Sequence, residues 1–88
     1  MINLKWLPTA AEDLAYWKTS NVKKYNKILA LCDSIRIDPK RGLGKPEPLK
    51  HELSGCWSRR IDKEHRLVYR FDEDDETVYI IQARGHYY

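Results

Sequence analysis

Apolar and polar residues change period several times along this chain, and each change marks an element. Ile2, Leu4 and Trp6 alternate with Asn3 and Lys5, the period of a strand, which Pro8 ends. Thr9 followed three residues later by Glu12 is a capping-box pattern, predicting a short helix with Leu14 and Trp17 on one side. Ser20 or Asn21 caps a second, longer helix, whose Val22, Tyr25, Ile28, Leu29, Cys32 and Ile35 keep helical spacing. Asp38-Pro39 stops it, because a residue before proline is pushed out of the helical region. Residues 40–55 carry Gly42, Gly44, Pro46, Pro48 and Gly55 and read as an extended, turn-rich connection.

Three strand-like runs follow: Cys56 to Ile61, His65 to Phe71, and Thr77 to about His86. In the second, Leu67, Tyr69 and Phe71 alternate with Arg66, Val68 and Arg70, so one face should be buried. The order β-α-α-β-β-β with short links predicts an α+β fold, a small antiparallel sheet with two N-terminal helices on one face. At 88 residues, and with no repeat, linker or low-complexity tract, the chain reads as one domain over 1–88. Its 42% hydrophobic content is enough for a core without staples. Cys32 and Cys56 are read as reduced, in a cytoplasmic protein. Met1 to Trp6 contains no long apolar run, so neither a signal peptide nor a membrane partner is expected.

Charge is unevenly spread. The net charge is only +3, but residues 40–70 hold nine Lys/Arg against four acids, and a solid acidic block, Asp72 to Glu76, follows. The acidic block reads as a solvated turn. The basic stretch, whose arginines are interleaved with Trp57 and Tyr69, points instead to a polyanion.

Within and just beyond that stretch lie an acid, Glu47, three arginines, Arg59, Arg60 and Arg66, and a C-terminal histidine, His86. These are the groups needed to cut RNA without a metal. The 2′-hydroxyl attacks its own phosphate while a carboxylate takes its proton, guanidinium groups hold the phosphoryl charge, and a histidine protonates the leaving 5′-oxygen. Glu47 stands between Pro46 and Pro48, whose fixed φ angles limit its backbone. Arg66 should emerge opposite the core-facing Leu67 and Tyr69, and a planar guanidinium can grip two phosphate oxygens at once. His65, beside it, should point to the other face. Trp17 and Trp57 could stack on bases, although their spacing suits core packing better. The histidines and cysteines have no C-x-x-C or H-x-x-x-H spacing, so neither a metal nor any other cofactor is expected. Gly42 to Lys45 lacks the rest of a phosphate-cradling loop.

The segments GKPEPLKHELSG, CWSRRI and EHRLVY and the terminal HY, in this order and at these separations, resemble the YoeB-type toxins of the RelE superfamily of toxin–antitoxin modules. The resemblance runs along most of the chain, including Tyr16-Trp17. It implies a RelE-like fold and a ribosome-dependent endoribonuclease, an mRNA interferase acting in the A site of the 70S ribosome. It makes Glu47 the base, Arg66 the group that stabilises the transition state, His86 the acid, and Tyr87 a base-stacking or phosphate-bonding neighbour. Lys50, His51, Arg59 and Arg60 would hold substrate. It also implies a partner antitoxin of the YefM/Phd type, with a homodimer left open. One departure is visible: Gly85 stands where the family has a bulky residue before the histidine, and Tyr88 is added after Tyr87. Two rival readings are a catalytically silent RNA-binding module and a protein-binding inhibitor similar to the gyrase-targeting ParE toxins. The latter lack the combination of PEP, HRLVY and terminal HY.

Overall fold

The computed structural model describes residues 2–85, so the expectations for His86, Tyr87 and Tyr88 lie outside the described residues. The alternation at the start of the chain becomes β1 (Asn3–Trp6). Helix α1 (Pro8–Ser20) begins one residue before the predicted cap. Leu7 is its N-cap without a side-chain bond, Pro8 occupies the first turn, and Thr9 lies inside the helix. Proline suits that position because its missing N–H is one the helix could not use and its φ is already helical. Helix α2 (Val22–Ile37) is capped by Asn21, whose Oδ1 accepts from the Lys24 amide, and ends at Asp38 as the following proline requires.

Two short elements interrupt the connection expected to be irregular: a two-residue strand, β2 (Glu47–Pro48), and a single 3₁₀ turn over His51–Leu53. Then come β3 (Cys56–Arg60), β4 (Arg66–Asp72) and β5 (Thr77–Gln82). The strands form one sheet in the order β1-β5-β4-β3-β2. It is mixed rather than wholly antiparallel, because the first strand pairs in parallel with the last, Asn3 opposite Thr77 through Trp6 opposite Ile80. The two helices separate them in sequence and supply the crossover that a parallel pair needs.

Both helices cover one face. Ile28, Leu31 and Ile35 of α2 and Ala10 and Trp17 of α1 pack on Leu67, Tyr69, Val78 and Ile80 of the sheet. Each large aliphatic side chain here contributes roughly 1.5–3 kcal/mol by burial. Leu31, not among the positions picked from helical spacing, is fully buried, whereas Val22 and Leu29 stay largely exposed. Among the described residues, neither α-helix covers the opposite face. Its centre is closed by a smaller cluster, Leu49, Cys56 and Val68, with Leu53 and Ile81 against it.

Candidate functional site

The open face of the sheet carries Glu47, Arg60 and Arg66, and strand register decides which side chains meet there. Glu47 is opposite Ser58, Ser58 opposite Val68, and Val68 opposite Gln82, forming one row across four strands. In the next row Arg60 stands opposite Arg66. Their amides point away from each other, Arg60 N–H to the Gly44 carbonyl (2.7 Å) and Arg66 N–H to the Gly85 carbonyl (3.0 Å). The two are therefore a narrow, non-hydrogen-bonded pair, with Cβ atoms about 4.5–5.5 Å apart. Like charges directly opposite each other are unfavourable in a sheet. Glu47 is diagonal to Arg60, a separation of roughly 7–8 Å that long side chains span. Arg70 shares this face, opposite Cys56 and 4.9 Å over the Tyr79 ring.

Glu47 occupies the edge strand, where the two prolines beside it remove amides that would otherwise be exposed to edge pairing. The strand is held to β3 by Leu49 N–H on the Cys56 carbonyl (2.9 Å). Residues 47–53 then curl around an open concavity, which brings Lys50 and His51 beside Glu47. Both side chains are exposed, and His51 has a φ of 58°, a left-handed conformation uncommon for a residue with a side chain. Lys45, on the other side of Glu47, is left-handed too, with a φ of 52°.

Arg66 is partly buried at the start of β4. Its Nη1 donates to the carbonyls of Asp62 (2.8 Å), His65 (3.3 Å) and Lys63 (3.4 Å), so the β3–β4 turn orients the guanidinium. Asp62 organises that turn. Its Oδ1 accepts from the amides of Glu64 and His65, and its Oδ2 pairs with Lys24 of α2. Burial pushes the Asp62 carboxyl up, but the bonds from Lys24, His65 and Glu64 outweigh it and hold the group at about 2. Sequence reasoning passed over Asp62, although an Asp opening a tight turn is a recognisable signal.

Arg59 corrects an expectation. It does not face substrate but is fully buried on the helix side. Its Nε donates to the Tyr69 hydroxyl (3.0 Å), its Nη1 to Ser34 Oγ and the Leu43 carbonyl, and its Nη2 to the carbonyls of Asp38 and Arg41. Tyr69 in turn donates to the Pro39 carbonyl (2.6 Å). Five acceptors around one guanidinium use its full donor set. Arg59 therefore holds the 38–43 loop, the approach to Glu47, and is taken out of the substrate-binding set. Parity gave the signal: Trp57, Arg59 and Ile61 lie on one face of the strand and Arg60 on the other.

His65 points to the helix side as expected, edge-on to Trp17 with ring centroids 4.8 Å apart. Trp17 is core, and Trp57 packs against the same core, half-buried. The strand predicted to run to about His86 stops at Gln82, and a bend carries the chain to Gly85, next to Arg66. Both cysteines are free and buried. Burial pushes Cys32 to about 11 and raises Cys56, which makes both thiols poor nucleophiles. Among the described residues, no three His, Cys, Asp or Glu side chains converge as a metal site would need. No helix among them is long and apolar enough to cross a membrane.

Comparison with known proteins gives a consistent result. Residues 6–87 match the model of the YoeB-like toxin of bacterial type II toxin–antitoxin systems. The chain is 48% identical to the toxin YoeB of Mycobacterium bovis, over 99% of this chain and 100% of that one. Among solved structures it superposes on a YoeB/ParE toxin from Agrobacterium tumefaciens with a TM-score of 0.94, at 40% identity, covering 98% of this chain and 100% of the other. The YoeB of a YoeB–YefM complex from Staphylococcus aureus gives a TM-score of 0.87 at 41% identity, with 99% of each chain covered. A YoeB dimer from the same organism is also similar, with a TM-score of 0.88 at 41% identity and 98% of each chain covered.

Proposed function

Because the chain belongs to the family of YoeB-like toxins of bacterial type II toxin–antitoxin systems, we propose that its open sheet face cuts messenger RNA in the A site of the translating 70S ribosome. The observation that carries this reading is the Arg60–Arg66 pair, two cations in direct register on the face that the two α-helices leave open, with Glu47 diagonal to Arg60. Such a pair is unfavourable alone and favourable around an anion of the size of a phosphate.

The chemistry runs as follows. Glu47 takes the proton of a 2′-hydroxyl, whose oxygen attacks the adjacent phosphorus. The bond from phosphorus to the 5′-oxygen of the next nucleotide breaks, and His86 delivers a proton to that oxygen. Arg66, oriented by the turn carbonyls, and Arg60 across from it bind the phosphoryl oxygens as their charge grows. Lys50 and His51 hold the flanking nucleotide along the concavity beside Glu47, and Tyr87 stacks on a base or bonds to phosphate. The products are a 2′,3′-cyclic phosphate and a 5′-hydroxyl. Using the 2′-hydroxyl as nucleophile makes DNA inert. The ribosome presents the strand, so a protein of this size need not position it unaided, and the place of action is the cytoplasm. Neutralisation by a YefM-type antitoxin follows the S. aureus complex, and self-association would follow the S. aureus dimer.

The test is to map mRNA 5′ ends in a purified translation system, with ribosomes and with ribosomes omitted. New ends within A-site codons, dependent on ribosomes and carrying 5′-hydroxyls, are expected. Cuts on naked RNA alone would overturn the ribosomal setting. Growth arrest in cells with no cuts in either reaction would favour the protein-binding inhibitor.

A further inference from the structure

Each residue between the end of β5 and the C-terminal histidine is tied to a neighbouring element of the fold. Ala83 is fully buried, and both its backbone groups bond to side chains of α1. Its N–H donates to Asp13 Oδ2 (3.0 Å), and its carbonyl accepts from Trp17 Nε1 (2.8 Å). Asp13 and Trp17 are four residues apart, one above the other on the same helix face. Next, the Arg84 guanidinium lies 3.6 Å from the Tyr16 ring centroid, again on α1. Gly85 is then fixed on both sides. Its N–H donates to His65 Nδ1 (2.8 Å), and its carbonyl accepts from the Arg66 amide (3.0 Å). Gly85 has a φ of +82°, a turn that glycine makes without strain.

A strand end needs none of this. A chain leaving a sheet ordinarily frays, whereas here side chains of α1 take both backbone groups of Ala83, His65 takes the Gly85 N–H, and the Arg66 amide of β4 takes the Gly85 carbonyl. The amide donor at Gly85 also bears on which ring nitrogen of a neutral His65 holds the proton. A nitrogen that accepts from an N–H carries no proton, so a neutral His65 bears its proton on Nε2. Trp17 does two jobs, bonding Ala83 and packing edge-on against His65, and so ties the two halves of the arrangement together.

We infer that Asp13, Trp17 and His65 are positioning residues: they clamp Ala83 and Gly85 so that the chain leaves for His86 from a fixed point beside Arg66. The clamp rests on the described residues alone, and its bearing on cleavage rests on the role proposed above for His86. None of the three touches the reacting atoms. They act by setting where the proton donor starts, a kind of placement for which a 1 Å error costs about a hundredfold in rate.

The test uses the full chain with His65→Leu and His65→Asn. Leucine keeps bulk against Trp17 but removes the acceptor, and Asn Oδ1 restores an acceptor near the place of Nδ1. Amide exchange followed by NMR should show Gly85 exchanging roughly tenfold faster in His65→Leu, the loss of one hydrogen bond, and near the wild-type rate in His65→Asn. Ala83 should stay protected in both. On programmed ribosomes, His65→Leu should lower kcat by about a hundredfold at unchanged KM, and His65→Asn should recover most of it. Unchanged exchange at Gly85 in His65→Leu would overturn the clamp. Faster exchange with an unchanged kcat would overturn its positioning role. If the wild type leaves mRNA intact, the nuclease reading fails and the positioning role fails with it, while the exchange pattern still decides whether the clamp exists. Should His65→Leu fail to fold, Asp13→Ala moves the same readout to the Ala83 amide, with the same expected loss of protection and of kcat.

Discussion

Arg59 and Arg60 are neighbours in β3, yet one guanidinium is fully buried under the helices and the other is exposed on the open face. Buried, Arg59 gives its donors to five protein acceptors and anchors a loop. Arg60 has Arg66 for a cross-strand neighbour and an acid on the diagonal. The same residue type is thus buried in the fold on one face and exposed on the other, and strand parity decides which. The two faces should respond to substitution in opposite ways: stability without direct catalysis on one, catalysis without much stability on the other.

The largest effect expected on stability is at Arg59. Arg59→Ala removes a donor from each of three loop carbonyls, Ser34 and Tyr69, and should cost about 3 kcal/mol or more in denaturant unfolding. Arg59→Lys should recover little, since an ammonium has three donors and no planar fork. Arg60→Ala should stay within about 0.5 kcal/mol of wild type. Equal losses at the two positions would break the comparison.

On the open face, Arg66→Ala should lower single-turnover cleavage of ribosome-bound mRNA by about 10²–10³-fold, the usual cost of losing one donor to a developing anion. Its stability should fall by only about 1 kcal/mol, for the bonds to the turn carbonyls. A protein that unfolds but cuts normally would reverse the assignment.

The smallest effect sharpens the picture at the turn that carries Arg66. The Asp62 carboxyl is held at about 2, below its ordinary 3.8. Because the folded value is the lower one, the stability it confers is fully present above about pH 4 and is lost as the pH falls towards 2. With a partly exposed side chain the contribution at neutral pH is under about 1 kcal/mol. Asp62→Asn keeps the oxygen that accepts the turn amides but not the charge. Its unfolding midpoint should therefore drop less steeply than wild type between pH 4 and 2; identical slopes would remove Asp62 from the account.

Much of this was legible in the sequence, and where it was not the reasons are physical. Both helices and the three long strands follow from periodicity, and the side on which Arg66 and His65 emerge follows from the apolar parity of Leu67 and Tyr69. The start of α1 was misplaced because proline at the first helical position competed with the Thr9 signal and won. A strand of two residues, β2, is too short to have a period. The parallel pairing of β1 with β5 joins the two ends of the described chain, and local pattern carries no information about it. Arg59 was misjudged because an arginine beside another arginine suggests a basic surface, while its parity with Trp57 and Ile61 pointed inward. The ties from Asp13, Trp17 and His65 to Ala83 and Gly85 span up to 70 positions and leave no local trace.

The most direct test of the open face as the cutting face is single-turnover cleavage of ribosome-bound mRNA by Glu47→Gln protein, with its unfolding curve measured beside it. The substitution keeps shape but removes the charge and with it the ability to take a proton. The account predicts an unfolding curve like that of wild type and a rate lower by about 10²–10⁴-fold. A wild-type rate from the same folded variant would contradict it.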